Sequence, residues 1–218
     1  MKAIIFDMDG VLIDTEGAYF EAKNMVLSEE NIKVNFEYNK KFMGKKHEEI
    51  WRIMKDDLSL KFSPEYYSKK MLKYKELISS KTGIIPIKGA VEIVNFFYDK
   101  KIPLAIASSS PRNIIIDSLT SINLLDKFCV LLSGEEVKNS KPAPDIFLEA
   151  AKLLGLPPLE CIVIEDSING VAAAKAAEMY CVHYNNPMFN ISDKVNANIQ
   201  INDLKQLQSI EFLQLLNI

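Results

Sequence analysis

Lys2-Ala3-Ile4-Ile5-Phe6-Asp7-Met8-Asp9-Gly10-Val11-Leu12-Ile13-Asp14-Thr15 decides how the rest of the chain is read. The apolar run from Ala3 to Phe6 has the character of a buried strand. It stops at two carboxylates one residue apart, followed by a glycine that permits a sharp turn. Asp7 and Asp9 are therefore expected at the carboxyl end of a strand, the edge where ligands bind in an open α/β sheet. Alternation at the strand exit aims both carboxylates the same way, a geometry suited to one hard cation and one reacting group. Taken alone, Asp-x-Asp-Gly is equally an ordinary acidic turn.

Three later segments repeat the pattern of an apolar strand followed by polar residues. They are Pro103 to Ala107 before Ser108-Ser109-Ser110, Cys129 to Leu132 before Ser133-Gly134-Glu135-Glu136, and Cys161 to Ile164 before Glu165-Asp166. Helical segments separate them, from Gly89 to Lys101, Arg112 to Ser121, Pro144 to Leu154 and Ile168 to Glu178. Tyr180 to Tyr184 reads as another strand and Ile199 to Ile201 as a short edge strand. Leu204, Leu207, Phe212, Leu215 and Leu216 fit one closing helix. This alternation predicts an α/β fold with a doubly wound, mainly parallel sheet, a Rossmann-like core.

After Thr15 strand character vanishes until Pro86. Ala18, Ala22, Met25 and Val26 suit one amphipathic helix, Ile50, Trp51, Ile53, Met54 and Leu58 a second, and Tyr66, Met71, Tyr74, Leu77 and Ile78 a third. The stretch Thr82 to Gly89, with two glycines and a proline, reads as a linker. The expected organisation is a discontinuous α/β core of residues 1–14 and 86–218 carrying an inserted all-helical cap domain, residues 15–85.

The 218 residues carry 26 basic and 29 acidic side chains, a net charge of −3, so no general field for nucleic acid is expected. Cys129, Cys161 and Cys181 stand near the starts of expected strands and read as small buried apolar residues, with neither a disulfide framework nor a zinc motif. No apolar run approaches the roughly 18 residues of a membrane span, and no signal segment precedes the first strand. A soluble cytoplasmic protein, by default a monomer, is expected.

Four segments, Phe6 to Thr15, Ala107 to Ser110, Asn139 to Phe147 and Ile164 to Val171, resemble the four motifs of the haloacid-dehalogenase-like phosphotransferases. The resemblance is to the branch that includes β-phosphoglucomutase and many small sugar-phosphate phosphatases. It covers nearly the whole chain, with the motifs in family order.

The resemblance implies roles for these residues. Asp7 becomes the nucleophile that forms an aspartyl-phosphate, and Asp9 the general acid for the leaving oxygen and then the base for water. Two carboxylates facing a phosphate dianion need a divalent cation, and hard oxygen ligands favour Mg²⁺. In the family this ion is held by the nucleophile, the backbone carbonyl of the second aspartate and the later acidic pair. Here that makes Asp166 a direct ligand and Glu165 a ligand directly or through water. Ser108 and the backbone N–H of Ser109 would hold phosphoryl oxygens, and Lys141 would offset charge between Asp7 and the phosphoryl group. Blander readings stand beside these: Glu165-Asp166 as an acidic helix cap, the serines as a cap before Pro111, and Lys141 as a solvated surface residue.

The segment Phe42 to His47 occupies the place of the family's substrate loop, and Gly44, Lys45, Lys46 and His47, with Lys40 and Lys41, are candidates for an anionic second group on the substrate. The same lysines also suit a solvated helix boundary. The mutase's histidine after the first motif is replaced by Tyr19, its cap arginine by His47, and its lysine after the serines by Pro111, with Arg112 alongside. These departures favour water as the acceptor. The expectation is Mg²⁺-dependent hydrolysis of a small phosphorylated metabolite such as a sugar phosphate. β-Phosphoglucomutase-type isomerisation is the alternative, and a non-catalytic ligand sensor a distant one, disfavoured by retention of Asp7 and Asp9. His183 and Trp51 read as packing residues.

Overall fold

Alternate residues of β1 (Ala3–Phe6) belong to two different apolar layers. In the computed structural model, which describes residues 2–42, 47–186 and 195–216, Ile4 and Phe6 join one layer and Ala3 and Ile5 the other. The same two-residue period runs through β2 (Leu104–Ser108), which is followed by β3 (Val130–Ser133), and through β4 (Cys161–Glu165). Strands apolar on both faces must be covered on both, and helical crossovers supply that cover.

With β5 (Tyr180–Tyr184) and β6 (Ile199–Ile201), the strands form a parallel sheet in the order β3-β2-β1-β4-β5-β6. The order reverses between β1 and β4, and the crevice at their carboxyl ends is the natural ligand position in such a sheet. Ile93, Val94 and Phe97 of one covering helix (Ala90–Asp99) and Ile115 and Leu119 of another (Arg112–Ser121) fill the first layer. Ile146, Phe147, Ala150 and Ala151 of a third (Asp145–Leu154) and Val171, Ala173 and Ala174 of a fourth (Ile168–Ala176) fill the second.

The chain divides into two compact units, Met1–Asp14 with Ile84–Ile218, and Thr15–Gly83. The first unit releases the chain at Asp14 and takes it back at Ile84. There the Asp14 N–H donates to the Ile85 carbonyl (2.8 Å), the Ile87 N–H donates to the Leu12 carbonyl (2.9 Å), and Ile13 bridges Pro86 in antiparallel fashion. These bonds tie Ile85 to Ile87, within the expected linker, to Leu12 to Asp14.

The second unit consists, among the described residues, of α1 (Glu16–Ser28), α2 (Phe36–Lys40), α3 (His47–Leu58) and α4 (Pro64–Thr82). Asn35 and Ser63 cap the second and fourth helices by accepting the N–H groups of Tyr38 and Tyr66. Trp51 is fully buried and stacks on Tyr67 with ring centroids 5.2 Å apart, beside Val26, Leu27, Met54 and Met71. It is a packing residue, as expected.

Three local readings need correction. Cys161 and Cys181 are buried, but Cys129 is exposed, because it precedes an edge strand with a neighbour on one side only. Its N–H and Sγ both approach the Leu104 carbonyl, at 3.0 and 3.2 Å. The closing helix is two pieces. A 3-10 helix (Leu204–Gln208), whose three-residue repeat buries Leu204 and Leu207, is separated by extended Ser209 from an α-helix (Ile210–Leu216). The short α2 lies where no helix was expected.

Candidate active site

Register and alternation bring the acidic residues together. Phe6 pairs with Ile164, and the Asp7 N–H donates to the Ile164 carbonyl at 2.9 Å. Asp7 and Glu165 thus emerge beside each other, two residues beyond Ile5 and Val163 of the second layer. Carboxylate oxygens of Asp7, Glu165 and Asp166 lie within 4.8 Å of one another. Asp7 and Glu165 are buried and Asp166 is half-buried.

Two glycines make room for this cluster. A β-carbon on Gly10 would overlap the Asp166 carboxylate, and one on Gly170 would overlap that of Glu165. Gly10 also has φ +82°, a backbone conformation open to glycine at little cost. Glu165 Oε2 accepts the Ser167 N–H (2.6 Å), and Ser167 Oγ accepts the Gly170 N–H (3.0 Å), so the start of the following helix fixes the acidic turn. His183 lies on the next strand, in register with Glu165, and is fully buried. Its Nε2–H donates to the Asp166 carbonyl at 3.0 Å, so it does more than fill space.

Lys141 enters from the loop before the Asp145–Leu154 helix. Its ammonium donates to Asp7 Oδ1 (2.6 Å), Glu165 Oε1 (2.9 Å) and the Ala107 carbonyl (3.1 Å), three acceptors for three protons. Burial works against its charge, but Asp7 and Glu165 outweigh that and hold the ammonium above its usual range. It is not the solvated lysine of the bland reading. Burial pushes the Asp7 carboxyl up to about 7; Lys141 opposes that shift, and Glu165 and Asp9 reinforce it.

Asp9 turns to the serines. Its Oδ2 accepts hydroxyl hydrogen bonds from Ser110 (2.8 Å) and Ser108 (3.2 Å), while Ser108 Oγ accepts the Ser110 N–H (3.0 Å). Ser108 is fully buried, and Ser109 is exposed with its backbone against Gly134. Ser110 was not singled out in the sequence, where only its spacing of two from Ser108 hinted at a shared direction.

Within the α/β unit, Arg112 does not join this cluster. Arg112 is exposed, and its Nη1 donates to Glu136 (3.0 Å to Oε1) and to the Leu131 carbonyl (2.9 Å). Tyr19 and His47 belong to the Thr15–Gly83 unit, where their rings pack 4.8 Å apart and the Lys75 ammonium lies 5.3 Å from the Tyr19 centroid. Burial, then Lys23 and Lys75, lower the His47 pKa. The Lys41 ammonium rests over the Tyr38 ring at 5.0 Å. Gly44, Lys45 and Lys46 lie outside the described residues.

The arrangement joins an excess of hard carboxylate oxygens, one ammonium and a pair of hydroxyls at the sheet's switch point. Its donor set suits a hard divalent cation, and Gly10 and Gly170 leave the carboxylates free to converge.

Comparison with known proteins agrees with this fold. Residues 4–184 match the haloacid dehalogenase-like hydrolase family. A phosphorylated carbohydrates phosphatase of Thermotoga maritima is 36% identical over 177 residues, covering 81% of this chain and 82% of that protein. A Drosophila melanogaster protein named "Probable pseudouridine-5′-phosphatase" is 35% identical over 189 residues, covering 84% and 81%. The crystal structure of β-phosphoglucomutase from Clostridium difficile superposes with a TM-score of 0.71 at 26% identity, covering 100% of this chain and 97% of that one. The chain belongs to the haloacid dehalogenase-like hydrolase family, in the branch related to β-phosphoglucomutase. No helix among the described residues is long and apolar enough to cross a membrane.

Proposed function

We propose that the protein is a phosphatase that hydrolyses a small phosphorylated metabolite of the sugar-phosphate class through an aspartyl-phosphate on Asp7. The observation that carries this reading is the pairing of buried Asp7 with Lys141 at the strand end, with Asp9 two residues further on and hydrogen-bonded to the serine loop. Asp7, Glu165, Asp166 and the Asp9 backbone carbonyl would hold Mg²⁺, which when bound supplies the positive charge a phosphate dianion needs to approach these carboxylates.

In the first step an Asp7 carboxylate oxygen bonds to phosphorus as the bond to the leaving oxygen breaks, and Asp9 gives that oxygen its proton. Lys141, anchored on Asp7 and Glu165, stabilises charge on the phosphoryl oxygens, with the Ser108 hydroxyl and the Ser109 N–H as further donors. In the second step Asp9 takes a proton from water as the water oxygen bonds to phosphorus. The Asp7–phosphorus bond breaks, and inorganic phosphate leaves. Selectivity for the rest of the substrate is assigned to the inserted helical unit, acting as a cap, with Tyr19 and His47 as its contributors.

Hydrolysis is favoured over isomerisation because Arg112, the candidate stand-in for the mutase lysine, is engaged by Glu136 and Leu131. The name of the Thermotoga relative supports a phosphorylated carbohydrate as substrate. A phosphorus NMR time course with Mg²⁺, β-glucose 1-phosphate and a trace of glucose 1,6-bisphosphate tests the choice. Inorganic phosphate without isomerisation is expected, and accumulating glucose 6-phosphate would establish the mutase instead. Asp7→Asn is expected to abolish turnover while still unfolding in one cooperative transition; retained activity would remove Asp7 from the nucleophile's place.

A further inference from the structure

Ser110 stands outside the roles just assigned, yet it makes the shorter of the two hydroxyl contacts to Asp9 Oδ2, 2.8 Å against 3.2 Å from Ser108. Its backbone is fixed from two sides. Its N–H donates to Ser108 Oγ (3.0 Å), and its carbonyl accepts from Ser133 Oγ (2.7 Å). Ser133 is fully buried at the end of β3, where its N–H donates to Glu136 Oε1 (3.0 Å) and its Oγ accepts the Glu135 N–H (3.2 Å). The backbone that carries this hydroxyl is thereby tied to two neighbouring strands, β2 through Ser108 and β3 through Ser133, which sets the point from which Oγ reaches Asp9. Asp9 lies in the loop beyond β1, and a carboxylate there is directed only by what it bonds.

We propose that Ser110 is a positioning residue for proton transfer: its hydroxyl holds the Asp9 carboxylate at the end of β2, where Ser108 marks the phosphoryl position. The inference rests on the reading of Asp9 as the general acid. In the step concerned the bond from phosphorus to the substrate oxygen breaks while the bond to Asp7 forms, and the Asp9 proton passes to the departing oxygen to give a neutral alcohol. A departing sugar hydroxyl needs that proton, whereas nitrophenolate leaves as the anion. Misplacing Asp9 therefore harms alkyl phosphates selectively, a signature that a general loss of folding or phosphate binding does not produce.

The test compares kcat/KM for glucose 6-phosphate and p-nitrophenyl phosphate in the parent, Ser110→Ala, Ser110→Thr and Asp9→Asn proteins. Ser110→Ala is expected to lose about tenfold more on the sugar ester than on the aryl ester, a fraction of what a general acid contributes. Asp9→Asn should show a larger bias in the same direction, and Ser110→Thr, which keeps the hydroxyl, should restore most of the sugar-ester rate. In an Asp9→Asn background, Ser110→Ala should add no further bias. Equal losses on both esters in Ser110→Ala, with a bias in Asp9→Asn, would overturn the positioning role and leave the acid assignment intact. No bias in Asp9→Asn would overturn both.

Discussion

Gly10 and Asp166 compete for one space: any β-carbon on Gly10 would overlap the Asp166 carboxylate. Gly10→Ala therefore strains a backbone at φ +82° and pushes aside an acidic group of the cluster. The conformational cost alone is about 1–2 kcal/mol. Mg²⁺ affinity, measured by calorimetric titration, is expected to fall about 10- to 100-fold, as when the support of a metal ligand is lost. Unchanged affinity would show that Asp166 does not bind the ion.

Removing Lys141 leaves Asp7 and Glu165 buried against each other with no ammonium between them. Lys141→Ala is expected to destabilise the metal-free protein by about 3 kcal/mol in urea melts, the scale of a broken buried pair. It should also lower kcat by about 100-fold or more, since charge stabilisation at the phosphoryl group is lost. A variant that melts like the parent would show that the ammonium contributes little to holding the two acids.

Asp7 gives the metal-free protein a distinctive pH response. Its folded pKa is raised from 3.8 to about 7, chiefly by burial, so between those values the folded state holds a proton that the unfolded chain has released. Its contribution to stability is full below about pH 3.8 and is lost as pH rises through about 7. Thermal melts without metal should decline across that window more steeply in the parent than in Asp7→Asn. Mg²⁺ should offset the decline at neutral pH by binding the ionised site. Identical slopes in parent and variant would count against the buried-carboxylate explanation.

The chain has one tryptophan, Trp51, so tryptophan fluorescence reports on the inserted unit. Tyr67 stacks on it, accepts the Phe62 N–H at 3.0 Å and donates to Glu30. Tyr67→Ala is expected to destabilise that unit by about 3–5 kcal/mol and shift the fluorescence midpoint in urea accordingly. A shift equivalent to less than about 1 kcal/mol would mean that the surrounding residues repack into the space.

Much of this architecture is legible in the residues themselves. Unbroken apolar runs in Ala3 to Phe6, Leu104 to Ala107 and Cys161 to Ile164 announce buried strands, and the polar residues at their ends mark the working edge. Other features depend on three-dimensional facts. Hydrophobicity does not say which strand is the edge, so the sequence alone gives no sign that Cys129 is exposed. A five-residue helix such as Phe36–Lys40 is too short to show a period. The run Ser108-Ser109-Ser110 does not disclose whose hydroxyl meets Asp9. His183 looked like packing because its partner is a backbone carbonyl, which leaves no trace in residue type. Lys141 stands 134 positions from Asp7, and only the resemblance drew attention to it.

The antiparallel stem formed by Leu12 to Asp14 and Ile85 to Ile87 closes the loop from which the Thr15–Gly83 unit is hung. Because departure and return are one hydrogen bond apart, that whole stretch of gene is interchangeable: a foreign insert with adjacent ends can be spliced in without rethreading a single strand. A lineage, or an engineer, can thus exchange one helical module for another while inheriting the strand-end acids unchanged.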